Sequence, residues 1–240
     1  MLSLDHNVVS FLNGFVNRSW TVDEVVWLVA TNALPKVAMA VFIWWTWFGD
    51  SSNRTKHRQA LISAIVGCLL GVIVARTIAF LLPFRERPLH NPALHLAWPQ
   101  VVPAQTLISW SSFPSDHAAL FFGLAAGFFF ISLSAGALAM AWALVGVAFA
   151  RMYLGFHYPS DILGGAVVGV ATTLLANVAR FRPAIAEPVL RWEADRPRCF
   201  YAGMFTFVFL FGTDFGSVSE IVKFGLAVSR HAVFHAQLVH

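Results

Sequence analysis

The chain has 240 residues, of which 58% are hydrophobic and 12% are charged, and its mean hydropathy is +0.68. Soluble domains carry about 25% charged residues, so this composition excludes an ordinary soluble protein and indicates an integral membrane protein. The net charge of +4 does not predict nucleic-acid binding, because most basic residues lie between apolar segments and form no surface stripe.

Six apolar segments are interpreted as transmembrane helices, each of which needs roughly 20 residues to cross a ~30 Å hydrocarbon layer. They lie near residues 24–48, 60–82, 116–133, 136–152, 160–179 and 199–216. The first contains Asn32, Pro35 and Lys36 and is expected to be kinked. The third and fourth, separated by residues 133–136, are expected to form a tight hairpin. We therefore predict an all-α fold, a six-transmembrane helical bundle.

One membrane domain is predicted at residues 21–216, between two flanking segments. Residues 1–20 have the pattern of an amphipathic helix in the membrane interface and lack the features of a signal peptide, so the first span is expected to direct insertion. Residues 217–240 form a C-terminal tail with the pattern of a surface helix. The two cysteines predict neither a disulfide framework nor a metal site.

Basic residues in the connections predict how the helices are oriented. They lie in the connection between the first and second segments, and in or beside the connection between the fifth and sixth: Arg54, Lys56, Arg58, Arg180, Arg182, Arg191, Arg196 and Arg198. These connections are expected to face the cytoplasm. Residues 83–115 and 151–161 then meet at the opposite, extracytoplasmic face of the plasma (inner) membrane.

Polar clusters interrupt the apolar sequence at that predicted outer face. They occupy residues 85–88, 114–117 and 151–161. Arginine binds phosphate oxygens through a planar, permanently charged fork, so Arg85, Arg87 and Arg151 are candidate phosphate ligands. Ser115 would add a hydroxyl donor, and a helix that begins after it would add free backbone N–H groups, which favour an anion. Together these residues predict an oxyanion-binding site.

Two histidines in the clusters are candidates for the chemistry. His157 would be a nucleophile if one ring nitrogen is unprotonated, and Asp161, four residues later, would hold the other N–H. A role for Asp161 in helix capping alone remains open. His117, with an unperturbed pKa of about 6.5, suits a proton donor, although a structural histidine at a helix start is the alternative. Lys36 is explained equally well by a functional role and by snorkelling or pairing.

These motifs resemble those of the type 2 phosphatidic acid phosphatase superfamily of membrane lipid phosphatases. The family pattern is Lys-x6-Arg-Pro, Pro-Ser-Gly-His and Ser-Arg-x5-His-x3-Asp, and the matching segments here are Arg87-Pro88, Pro114-Ser115-x-His117 and Arg151-x5-His157-x3-Asp161. The resemblance implies that His157 is the nucleophile, Asp161 orients it and His117 is the acid. It also implies that Arg87, Ser115 and Arg151 hold the phosphate, with no metal or other cofactor.

The chain departs from the family pattern at three positions. Phe80 replaces the lysine of the first motif, Asp116 the glycine of the second and Ala150 the serine of the third. Arg85 is the expected replacement for the lost cation, and Arg76, about one helical turn before Phe80, is a weaker alternative. Asp116 would repel a phosphate dianion unless it points away or pairs with an arginine.

The Pro-Ser-Asp-His variant is similar to that of bacterial enzymes that act on undecaprenyl diphosphate. The expected reaction is therefore hydrolysis of undecaprenyl diphosphate to undecaprenyl phosphate through a phosphohistidine. The alternatives are a phosphatase of phosphatidate or phosphatidylglycerol phosphate, a lipid phosphotransferase, and a non-catalytic lipid carrier. The expected partners are lipids and not nucleic acid, and the sequence does not predict an oligomeric state.

Overall fold

The computed structural model describes residues 3–32, 34–49 and 52–212. These residues fold into helices without a strand, which confirms the all-α class. The helices are α1 Ser3–Asn13, α2 Trp20–Thr31, α3 Leu34–Phe48, α4 Arg54–Leu81, α5 Asp116–Phe128, α6 Leu133–Tyr153, α7 Pro159–Ala176, α8 Arg182–Asp195 and α9 Pro197–Gly212. Helix α6 includes a π-helical stretch at Ala143–Phe149. The predicted tail at 217–240 lies outside the described residues.

The described helices make this a multi-pass membrane protein. Helices α4, α6 and α7 are long and apolar enough to cross a membrane, and α2 with α3 forms a possible fourth span that bends by 55° at its break. The expected kink is therefore present. The expected six spans are not established, because α5 has 13 residues. At about 1.5 Å per residue it covers roughly 20 Å, less than the ~30 Å of the hydrocarbon layer.

A short turn joins α5 and α6 as an antiparallel pair. It occupies residues 129–132, about four residues before the predicted position. Ser132 explains the shift, because its Oγ accepts a hydrogen bond from the Ala135 N–H at 3.0 Å and so begins α6 early.

Close packing of α7 against α5 positions two of the polar clusters. A Cβ atom at Gly169 would lie 1.9 Å from the carbonyl oxygen of Ala119, and one at Gly165 would lie 2.1 Å from that of Ser115. The Ser115 N–H also donates to the Asp161 carbonyl at 3.0 Å. Glycine is therefore required for the backbones to approach this closely, and the approach joins the starts of both helices.

The polar clusters lie at one end of the bundle, where α4 and α6 end and α5 and α7 begin. Backbone hydrogen bonds link them there, from Ser112 to Arg85 and from Leu89 to Gly155, each at 2.9 Å. At the opposite end, Arg58 of α4 pairs with Glu193 of α8 at 2.9 Å. The basic connections and the polar clusters are thus separated by the length of the helices.

Replacement of Gly169 by alanine is expected to lower the free energy of unfolding by about 1–3 kcal/mol, because the added methyl group collides with backbone that cannot rotate away. Gly146→Ala is the matched control, since its Cβ would meet the Trp142 ring at an ordinary 3.4 Å. Thermal unfolding of both variants in detergent checks the prediction. Equal midpoints for the two variants would contradict it.

Candidate active site

A cavity of about 370 Å³ opens at the end of the bundle where the clusters meet. Its wall comes from the last turns of α4, the following loop, the start of α5 and the α6–α7 connection: Arg76, Ala79, Phe80, Leu82, Phe84, Arg87, Ser109, Trp110, Ser111, Pro114, Asp116 and His157. Within the described part of the chain, this wall does not include Arg85, Ser115, His117 or Arg151. The structure thus brings Arg87 and His157 to one surface and leaves the other predicted residues outside it.

The tautomer of His157 follows from the neighbours of its two ring nitrogens. Nδ1 lies 2.9 Å from the carbonyl oxygen of Ser112, which can only accept, so Nδ1 carries the proton. Nε2 lies 3.2 Å from Nη1 of Arg87, which can only donate, so Nε2 presents its lone pair. The surroundings therefore select the neutral tautomer needed for attack through Nε2.

Burial keeps this imidazole neutral. The His157 side chain is 2% exposed, and desolvation lowers its pKa to about 4. The positive charges of Arg87 and Arg151 act in the same direction, whereas Asp161 acts against them. At neutral pH the imidazole of His157 is therefore neutral, with its single proton on Nδ1.

Asp161 caps helix α7 and is held by an arginine. Its Oδ2 accepts the Tyr158 N–H at 2.8 Å, and its Oδ1 accepts Nη1 of Arg85 at 2.6 Å. The distance from Oδ2 to Nδ1 of His157 is 3.7 Å, which is too long for a hydrogen bond. The capping role that the sequence left open is thus present. The hydrogen bond from Nδ1 of His157, which the sequence predicts for Asp161, goes to the Ser112 carbonyl instead.

Arg85 is directed at carboxylates rather than at the cavity. Besides Asp161, its guanidinium donates to Oγ of Ser160 at 2.9 Å and to Asp5 of α1 at 2.8 Å, and it lies 4.4 Å from the centre of the Tyr158 ring. Asp5 is fully buried and also accepts the Ser160 N–H at 3.0 Å. No sequence pattern indicates a role for Asp5, which lies far from the motifs. Phosphate binding by Arg85 stays a prediction.

Arg87 is fixed by main-chain carbonyl groups beside His157. It donates to the carbonyl oxygens of Phe156 at 2.7 Å, Trp110 at 3.2 Å and Ser111 at 3.4 Å. Burial, reinforced by the positive charge of Arg151, lowers its pKa to about 10. Arg87 therefore stays charged at neutral pH, with its fork oriented before any ligand enters.

Ser115 and Arg151 make structural contacts next to the cavity. The buried Ser115 caps α5, since its Oγ accepts the Ala118 N–H at 3.4 Å. The buried Arg151 donates to the Ala30 carbonyl at 3.2 Å and so ties α6 to α2. Its charge nevertheless acts on both Arg87 and His157.

His117 is hydrogen-bonded to Asp116, which lines the cavity. Oδ1 of Asp116 lies 2.8 Å from Nδ1 of His117 and also accepts the His117 N–H at 2.8 Å. Oδ2 of the same carboxylate forms a very short ion pair with Arg76, whose guanidinium lies 4.5 Å from the centre of the Trp110 ring. Asp116 is thus paired with an arginine, as its proximity to a phosphate site would require. Of the two candidate replacements for the motif lysine, Arg76 lines the cavity and Arg85 does not, although the sequence ranks Arg76 lower.

The described residues contain no cluster of three or more histidine, cysteine, aspartate or glutamate side chains with the geometry of a metal site. The cavity wall carries two arginines, one paired carboxylate and a neutral imidazole. Such a set can bind a phosphoryl group and offer it a nucleophile.

The helical membrane bundle, with arginines and histidines gathered at one end, matches a known superfamily. The model of the PAP2 superfamily matches residues 60–184, so the chain belongs to that superfamily. The match covers all three motif clusters and confirms the family that the sequence motifs resemble.

Curated relatives cover most of the chain at modest identity. The putative undecaprenyl-diphosphatase YbjG of Escherichia coli (strain K12) is 29% identical over 183 residues, which are 73% of this chain and 82% of the relative. The undecaprenyl-diphosphatase BcrC of Bacillus subtilis (strain 168) is 23% identical over 167 residues, 70% of this chain and 79% of the relative. The bacitracin transport permease protein BcrC of Bacillus licheniformis is 26% identical over 171 residues, 71% and 78% respectively. No solved structure matches the chain.

Proposed function

We propose that this PAP2 protein removes the terminal phosphate of undecaprenyl diphosphate through a phosphohistidine on His157. The observation that carries the proposal is the unprotonated Nε2 of His157, which lies beside a fixed arginine, where both residues line a 370 Å³ cavity. The choice of substrate is supported by the names of two relatives, both undecaprenyl-diphosphatases.

In the first step, Nε2 of His157 attacks the terminal phosphorus, and the bond from that phosphorus to the bridging oxygen breaks. Before the substrate binds, Nη1 of Arg87 donates to Nε2 at 3.2 Å. An entering phosphate would accept this hydrogen bond in place of Nε2, which leaves the lone pair of Nε2 available for attack. His117 gives its proton to the departing lipid phosphate. The products of the step are phosphohistidine and undecaprenyl phosphate.

In the second step, water attacks the phosphohistidine, His117 takes a proton from that water, and inorganic phosphate leaves. Arg87 and Arg151 neutralise the charge that develops on the phosphoryl oxygens in both steps. Ser115 caps α5 by accepting the Ala118 N–H and so fixes the first turn, whose free N–H groups would bind phosphoryl oxygens. Arg85 acts through Asp161, whose position it fixes, and so supports the loop that carries His157.

Exposed apolar side chains surround the cavity and suit a lipid tail. Phe80 is 87% exposed, and Leu82, Phe84 and Trp110 are also exposed beside the polar wall. In a membrane these side chains would lie against hydrocarbon, so a lipid can bring its phosphate to Arg87 while its tail stays in the bilayer. The separation of the site from the basic end of the bundle supports an extracytoplasmic location.

Phosphate release by the detergent-purified protein tests the proposal. Undecaprenyl diphosphate, phosphatidate and phosphatidylglycerol phosphate are each supplied with and without chelator. We expect release that chelator does not reduce, with undecaprenyl diphosphate giving the highest kcat/KM. Preference for a glycerolipid would replace the substrate but keep the mechanism, and transfer to an added alcohol would indicate a phosphotransferase. Binding without release or transfer would contradict the proposal.

The pH dependence of kcat/KM should reflect the low pKa of His157. Because burial lowers that pKa to about 4, the nucleophile stays neutral as pH falls through the usual histidine range. We therefore expect the acidic limb of the profile near pH 4, well below the about 6.5 of an ordinary histidine. An acidic limb near 6.5 would contradict this prediction, provided that thermal unfolding shows the protein to be folded over the range.

A further inference from the structure

Asp116 places a negative charge in the wall of a cavity that is proposed to bind phosphate. Each of its carboxylate oxygens has a charged or polar side chain as partner, Nδ1 of His117 on one side and Arg76 on the other. The carboxylate therefore joins a cation of the cavity wall to a histidine that the wall does not itself include.

We infer that Asp116 is a positioning residue that holds His117 as the proton donor, and that Arg76 both fixes Asp116 and replaces the lysine that Phe80 displaces. The inference rests on the proposed function, because it assigns the roles of these residues within that reaction.

The hydrogen bond from His117 determines which nitrogen can reach the substrate. Nδ1 is 2.8 Å from a carboxylate oxygen, so it is the donor in that bond. Nε2 is then the ring nitrogen that gives and takes the proton of the reaction. A carboxylate on Nδ1 also stabilises the imidazolium form from which the proton is donated.

The charges around His117 make this partner necessary. Burial lowers the pKa of His117, and the positive charges of Arg151 on α6 and Lys36 on α3 act in the same direction. Asp116, on the same helix as His117, is the negative charge that acts against them, and Arg76 of α4 pairs with the same carboxylate. Without the carboxylate, His117 would lose its proton at lower pH.

Arg76 and Phe80 are four residues apart on α4 and therefore lie on one face of the helix, one turn apart. Both side chains line the cavity. A lysine at position 80 would line the same cavity as Arg76. Relative to the family motif, the cation of α4 thus lies one turn earlier, at Arg76, and the apolar Phe80 occupies the position of the motif lysine.

Asp116→Asn tests the first half of the inference. Asparagine keeps the size and the acceptor oxygen but removes the charge. We expect kcat to fall by about 10- to 100-fold, near the lower end of general acid contributions. The alkaline limb of the pH profile should move down by roughly one unit or more, while the acidic limb stays in place. An unchanged alkaline limb would overturn the role of Asp116, since a merely structural role would lower activity without moving it.

Failure of this inference is distinguishable from failure of the proposed function. If the wild-type protein releases no phosphate from any lipid, the proposed function fails. If the wild type is active and Asp116→Asn has the same pH profile, only the inference fails. Asp116→Gly, which restores the residue of the family motif, is the second variant should Asp116→Asn not fold, and the same limb shift is expected.

Exchange of the cation between positions 76 and 80 tests the second half. Arg76→Ala is expected to raise KM about 10-fold through lost phosphate binding, and Phe80→Lys added to it should restore most of the loss. Phe84→Lys in the same background is the matched control, because Phe84 is also an exposed phenylalanine of the cavity wall. Recovery with Phe80→Lys alone supports the inference. No recovery, or equal recovery with Phe84→Lys, overturns it.

Discussion

Replacement of His157 by alanine is expected to reduce phosphate release by about 10⁴-fold or more, as is typical when a nucleophile is removed. His157 is the proposed nucleophile and lines the cavity, and alanine leaves no side-chain group that could attack phosphorus. His157→Gln is the more stringent variant. It fills most of the same buried space and can still accept from Arg87, but it cannot form a stable phosphoryl intermediate.

The matched control is His95→Asn, which removes an exposed histidine from the loop between α4 and α5. Asparagine tolerates the left-handed backbone of that residue, whose φ is 48°. We expect this variant to keep wild-type kcat, and all three proteins to elute alike from a gel-filtration column. Substantial phosphate release by a folded His157→Gln protein would show that another group attacks phosphorus.

Replacement of Arg87 by lysine is expected to lower kcat/KM by about 10²- to 10³-fold, the cost of losing a preorganised donor at the reacting group. Lysine keeps the charge but not the planar fork. The guanidinium donates to the main-chain carbonyls of Phe156 and Trp110 and to Nε2 of His157. A single ammonium group cannot donate in all of those directions. Steady-state kinetics with undecaprenyl diphosphate measures the loss.

Arg58→Lys provides the control for this conservative change. Arg58 lies at the opposite end of the bundle, where it pairs with Glu193 and packs 4.5 Å from the centre of the Trp47 ring. Its replacement should change thermal stability and leave kcat/KM near the wild-type value. If Arg87→Lys were also within a few-fold of the wild type, the oriented fork would not be part of the catalytic machinery.

The convergence of the polar clusters was predictable from sequence, because it depends on features that a linear pattern records. Apolar segments give the helices, and their alternation brings the ends of α4 and α6 to the starts of α5 and α7. The small residues Gly165 and Gly169 mark the close packing that joins α5 to α7. Motif spacing singled out His157 and Arg87, and the structure brings both to one cavity wall.

The partners of these side chains were not predictable in the same way. The carbonyl of Ser112 holds His157, and a main-chain carbonyl has no signature in the amino-acid sequence. Asp5 reaches Arg85 from a helix 80 residues away, so no local pattern indicates the contact. The choice of Arg76 over Arg85 at the cavity depends on the direction of two side chains, which composition and spacing do not determine.

Helix lengths were the weakest part of the sequence prediction. Segments of uniform hydropathy do not reveal where a cap such as Ser132 ends one helix and begins the next. Helix α5 therefore stops at Phe128, several residues before the predicted end. Its shortness is compatible with burial, because nearly all of its side chains face neighbouring helices instead of lipid.

The central claim, a phosphoryl group carried by His157, is tested most directly by trapping that group. Undecaprenyl diphosphate labelled in its terminal phosphate is mixed with excess enzyme, quenched in alkali within a single turnover, and the protein is digested and mapped. We expect an alkali-stable, acid-labile label on the peptide that contains His157, which appears before free phosphate and is absent from His157→Gln. Label on another residue, or free phosphate released with no labelled protein at any time, would contradict it.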